Sequence, residues 1–142
     1  MSPKKRPWSI VLDHAAVATR EPEKLKRVLA ILGLDDAGSE AVASQGVVTH
    51  FLRPAASEPA VEILEVTDPL GVVGKYLDKK GAGIHHLSFM VSDLDALTAE
   101  LRAQGVRLTY DTAKPGAHRT RVNFIHPEST GGILIEVSEK AL

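Results

Sequence analysis

Two histidines and two glutamates recur in this sequence at nearly one interval. His14 and His86 lie 72 positions apart, and Glu62 and Glu136 lie 74 apart. Imidazole nitrogen and carboxylate oxygen together suit a divalent cation, with Co²⁺ placed first and Mn²⁺, Ni²⁺, Fe²⁺ and Zn²⁺ also compatible. Four protein ligands in an octahedron leave two positions for substrate oxygens. Any one of these residues alone carries little, since a single strand histidine is more often a packed or surface residue. The repeat around them is what joins the four into one set.

That repeat also supplies the elements. Leu12-Asp13-His14-Ala15-Ala16-Val17-Ala18 matches Ile84-His85-His86-Leu87-Ser88-Phe89-Met90 at a shift of 72, with a helical pattern after each. Phe51-Leu52-Arg53-Pro54 matches Phe124-Ile125-His126-Pro127 at 73, and Val61-Glu62-Ile63 matches Ile135-Glu136-Val137 at 74. Alternation predicts a strand over 10–19. Pro22 at a first helical position, apolar residues at 25, 28, 29 and 32, and Gly33 as a stop predict a helix over 22–32. Strands follow at 46–53 and 59–66, with the turn between them at Pro54–Pro59 and a weaker strand in 38–44. The second half reads strand 84–91, helix 93–104 ending at Gly105, and strands near 106–110, 120–126 and 132–138.

The expected fold is α+β: two tandem βαβββ modules forming a curled mixed sheet around a metal site. Module one runs over about 10–66, a linking helix over about 69–80 and module two over about 83–138, within one domain of 10–140 that follows a flexible arm at 1–9. Strand alternation puts His14, Glu62, His86 and Glu136 each on the strand face with small neighbours, opposite an apolar face. A mid-strand carboxylate on an inner face is costly unless a charge offsets it, and one cation offsets two.

Composition removes other classes. With 17 basic and 18 acidic residues among 142, the net charge of −1 gives no electrostatic footprint for nucleic acid. The absence of cysteine excludes disulfides, thiolate metal sites and a cysteine nucleophile. No apolar run is long enough to span a bilayer, and no apolar stretch follows Lys4-Lys5-Arg6 as a secretory signal requires. The reading is a cytoplasmic protein without membrane or nucleic-acid partners.

The repeated unit with its His…Glu…His…Glu order resembles the vicinal oxygen chelate superfamily and, within it, the methylmalonyl-CoA epimerase family. The segments that carry the resemblance include Leu12-Asp13-His14-Ala15-Ala16-Val17-Ala18, Gln45-Gly46-Val47, Val61-Glu62-Ile63-Leu64-Glu65 and Gly83-Ile84-His85-His86-Leu87-Ser88-Phe89. Gly116-Ala117-His118 and Phe124-Ile125-His126-Pro127-Glu128-Ser129-Thr130-Gly131-Gly132-Ile133-Leu134-Ile135-Glu136 complete it. The resemblance implies metal ligation by His14, Glu62, His86 and Glu136, an acyl-CoA substrate and a homodimer. It also implies interconversion of (R)- and (S)-methylmalonyl-CoA through an enolate, with Glu136 as the first candidate base.

Ser44 and Thr49 stand where family members carry Glu, so the second acid/base stays open. His50 has a suitable pKa but alternates onto the outer face, and a surface histidine is the preferred reading. His85 alternates away from His86 and is read as a supporting or packing residue. His118 lies in a loop and is read as solvated. Ser129-Thr130-Gly131-Gly132 fits an anion-binding turn and a plain turn about equally. The basic cluster at Lys4-Lys5-Arg6 is read as a solubilising tail. Two other functions use the same fold: a lactoylglutathione lyase of the glyoxalase I type, and a metal-free protein that binds a small molecule.

Overall fold

The computed structural model describes residues 5–54 and 59–141. Part of the expected Pro54–Pro59 turn, and Lys4 of the basic cluster, lie outside the described residues. The elements run β1 (Ile10–Ala18), α1 (Pro22–Leu32), β2 (Asp35–Val42), β3 (Val47–Arg53), β4 (Ala60–Val66), α2 (Val72–Lys80) and β5 (Gly83–Val91). They continue with α3 (Leu94–Ala103), β6 (Lys114–Pro115), β7 (Thr120–Ile125) and β8 (Ile135–Lys140). The α+β class and the two successive βαβββ runs are therefore as expected, with α2 between them. The chain divides into two compact units. One is Asp13–Leu87; the other combines the chain up to Leu12 with the chain from Ser88 onward.

In the Asp13–Leu87 unit the strands are hydrogen-bonded in the order β2-β3-β4-β1. β1 runs parallel to β4, while β2, β3 and β4 are antiparallel neighbours, so the sheet is mixed. Ala16, Ala18, Val47 and Leu64 on the sheet pack against Val73 and Leu77 of α2, and these six form the buried cluster of this unit. α2 starts later than the expected 69 because Asp68 turns the chain first. Its carboxylate accepts from the Leu70 amide and its carbonyl from the Gly71 amide. Gly74, a poor helix residue by propensity, is explained by a close approach: a Cβ there would run into the Pro69 carbonyl oxygen.

α1 matches its predicted bounds. Pro22 starts it, and Gly33, at φ 105°, ends it by donating to the Ala30 carbonyl at 3.1 Å. Its apolar face is covered less than the spacing suggests. Leu25 and Leu29 are half-buried, whereas Val28 and Leu32 stay exposed.

In the other unit the order is β5-β8-β7-β6. Val91, Leu94, Leu97 and Val137 form its buried cluster, against which Trp8, Leu101 and Ile125 pack. Asp93 caps α3, its carboxylate accepting from the Ala96 amide at 3.0 Å. Ser9 donates its amide to the Ser92 hydroxyl and accepts from the Ser92 amide. Trp8 and Ser9 are thus held, and the arm read over 1–9 stops short of them. The strand expected near 106–110 is not formed. A single bridge, Leu108 to Ile125, stands there, and the short β6 comes later. Around that bridge the His126 amide donates to the Arg107 carbonyl and the Thr109 amide to the Phe124 carbonyl, and the pairing ends at Tyr110, whose amide and carbonyl bond the Asn123 side chain. β8 begins at Ile135 instead of 132 because Gly131 and Gly132 hold a left-handed turn. No helix among the described residues is long and apolar enough to cross a membrane.

Candidate metal centre

Parallel pairing of β1 with β4 sets Ala16 opposite Glu62 and His14 opposite Ala60. His14, Ala16 and Ala18 form the buried face of β1, and Glu62 with Leu64 forms the matching face of β4. The alanines leave room above the sheet for the two polar side chains. His14 Nδ1 lies 3.0 Å from a Glu62 carboxylate oxygen and 2.7 Å from one of Asp13. One ligand atom from each of Asp13, His14 and Glu62 falls within 4.8 Å of the others. His86, on β5, brings its ring to 5.5 Å from that of His14, edge to face. His14, Glu62 and His86 are each 6% exposed.

Asp13 is the member that sequence reasoning missed. The signal was its adjacency to His14, but alternation assigns neighbouring strand residues to opposite faces, and only the side-chain geometry shows the contact. His85 holds a supporting place, as expected: its Nδ1 lies 2.9 Å from His86 Nδ1. That contact holds the His86 ring through its Nδ1. Burial, then the positive charges that His85 and His14 would carry, push the His86 pKa down to about 3. Burial also lowers that of His85. A neutral imidazole keeps the lone pair a metal needs. Two buried imidazoles beside a buried carboxylate fit a borderline divalent cation.

Glu136, the fourth residue, belongs to the other unit. There the Ser88 hydroxyl, fully buried, donates to a Glu136 carboxylate oxygen at 2.6 Å. His86 and Ser88 occupy the same face of β5, two residues apart.

The remaining candidates resolve as follows. His50 points to the outer face and pairs with Glu65, Nε2 to carboxylate oxygen at 2.8 Å, which agrees with the outer-face reading. Thr49 is buried on the same face as Glu62. His118 and Arg119 adopt left-handed backbone angles, φ 54° and 57°, in the turn before β7. The Ser129–Gly132 segment is a closed turn, not an anion cradle: the amides of Ser129, Thr130 and Gly132 donate to the carbonyls of His126, Pro127 and Pro127.

The profile of the Glyoxalase/Bleomycin resistance protein/Dioxygenase superfamily matches residues 13–124. The mitochondrial methylmalonyl-CoA epimerase of Dictyostelium discoideum is 31% identical over 91% of this chain and 78% of its own length. A methylmalonyl-CoA epimerase structure from Mycobacterium tuberculosis superposes with a TM-score of 0.85 at 39% identity, covering 92% of this chain and 88% of that one. A variant of the Streptomyces coelicolor methylmalonyl-CoA epimerase, in complex with 2-nitronate-propionyl-CoA, superposes with a TM-score of 0.83 at 31% identity, covering 92% and 94%.

Proposed function

This chain belongs to the glyoxalase/bleomycin resistance protein/dioxygenase superfamily, alongside its methylmalonyl-CoA epimerases, and from that premise we propose that it interconverts (R)- and (S)-methylmalonyl-CoA. We assign His14, Glu62, His86 and Glu136 as ligands of one divalent cation, with Co²⁺ the first candidate. The observation that carries the reading is the buried trio of His14, Glu62 and His86, with His86 held neutral, in a chain that aligns with epimerases over most of its length.

The hydrogen to be moved lies between a thioester and a carboxylate, and its removal leaves an enolate. When bound, the cation supplies the Lewis-acid charge that an enolate oxygen requires. Glu136 removes the proton. The Ser88 hydroxyl donates to one of its oxygens and fixes the carboxylate's orientation. His85 orients the His86 ring, and Asp13 orients that of His14. We read the protein as a cytoplasmic homodimer. The exposed Ile31 and Leu32 of α1 offer apolar surface for a second copy to cover, and light scattering of the purified protein checks the assembly.

The test is incubation of the metal-loaded protein with each epimer in D₂O. The α-hydrogen is followed by NMR and the epimers are separated by chromatography. Deuterium incorporation with inversion is expected. Turnover of a glutathione hemithioacetal alone would transfer the protein to the lyase class. Substrate binding without metal uptake or exchange would make it a binding protein.

A further inference from the structure

Inversion at a carbon requires a proton acceptor on one face of the planar intermediate and a donor on the other. Resting on the epimerase reading, we propose that Glu40 of β2 is the second acid/base. Glu40 lies directly opposite Thr49 of β3, Thr49 opposite Leu64 of β4, and Leu64 opposite Ala18 of β1. Opposed residues share a face. Glu40 therefore stands on the face that carries Glu62 and His14, with the small Thr49 beside it.

It reaches that face through an irregularity. The β2–β3 register shifts by one residue between Asp36 and Ser39. Asp36 pairs with Leu52, and continuing that register would set Ser39 opposite Thr49 and turn Glu40 outward. The bulge reverses the parity. Gly38, at φ 116°, takes the left-handed conformation the bulge needs, and its amide donates to the Asp36 carboxylate at 2.8 Å. The local sequence thus encodes the device that sets Glu40 on this face, where its side chain stays exposed.

Within the sheet of this unit, the other carboxylate on that face apart from Glu62 is Asp35. It stands at the far end of β2, directly opposite Arg53. Two strand spacings and one two-residue step separate the Glu40 and Glu62 Cα atoms, about 12 Å in all. Two glutamate side chains over that span leave room for a branched malonyl group between them. In one direction the first base takes the α-proton and a protonated Glu40 delivers one to the enolate carbon. In the reverse direction Glu40 takes the proton, and solvent resets its carboxyl group.

The experiment compares Glu40→Gln with the parent chain, both metal-loaded, in D₂O. Glu136 still removes the proton of one epimer in the variant. That epimer should exchange its α-hydrogen within about threefold of the parent rate, while inversion falls by at least about 10²-fold. A variant that inverts at the parent rate overturns the proposal. A folded variant that loses exchange of both epimers also overturns it, since Glu40 would then serve the site as a whole. Failure of the epimerase reading looks different, because the parent chain itself would neither exchange nor invert.

Discussion

Lowering the pH of the metal-free protein should expose the cost of burying His86. Its imidazole titrates near 6.5 in an unfolded chain and is held down to about 3 in the folded one. Above pH 6.5 neither state binds the proton, and the group adds no pH dependence. As pH falls from 6.5 toward 3 the unfolded chain takes up a proton that the folded chain refuses, so stability falls. Each unit of that window is worth about 1.4 kcal/mol, which makes the loss about 2 kcal/mol at pH 5. The assay is urea unfolding of EDTA-treated protein at pH 7 and pH 5, in parallel with His86→Gln. Carboxylates and the other histidines contribute to both slopes and cancel in the difference. The parent should lose about 2 kcal/mol more than the variant between the two pH values. Equal losses would refute the reasoning and show that water reaches His86 in the folded chain.

Glu136→Gln keeps one metal-capable oxygen and the place of the side chain, so metal should stay largely bound while turnover falls by at least about 10²-fold. Glu62→Gln should be milder, and equal modest losses in the two would remove the base role from Glu136. Elemental analysis after exhaustive dialysis should find about one metal per parent chain and none in the His14→Ala/His86→Ala double variant, where stoichiometric metal would sink the ligand assignment. Gly74→Ala gains about 1 kcal/mol in helix propensity but drives its Cβ into the Pro69 backbone. We expect a net loss of about 1–2 kcal/mol in chemical denaturation, and a stabilised variant would show that Pro69 can yield.

What the sequence revealed and what it hid follow from the range over which each feature is set. Pro22 and Gly33 fix α1 through backbone angles of their own, so its ends were legible to the residue. His14, Glu62 and His86 were legible because the repeat places each at mid-strand on a face of small residues. β2 starts at Asp35, earlier than the weak pattern over 38–44 suggests, because pairing with β3 holds a strand that has almost no apolar alternation of its own. Residues 106–110 alternate like a strand, and Arg107 and Thr109 do bond to β7, yet the Asn123 side chain takes the Phe124 amide that would have extended the ladder. The facing of Glu40 was hidden for a related reason. Counting by twos along β2 fails at a bulge, and the bulge is visible only in the pairing with β3.

The boundary between the two compact units falls inside strands, at Leu12/Asp13 in β1 and at Leu87/Ser88 in β5, and not in the linker where the sequence repeat divides. The duplicated segment and the compact unit are therefore out of phase, which bears on the order of synthesis. Asp13–Leu87 is one continuous stretch and has all its own strands once residue 87 has left the exit tunnel. The other unit cannot close then. Trp8 and Ser9 are made first, but their partners around Val91, Ser92 and Val137 come some eighty to a hundred and thirty residues later. Trp8 and Ser9 thus precede their partners in synthesis by most of the domain, and a change that disturbs Trp8 would be felt late in folding.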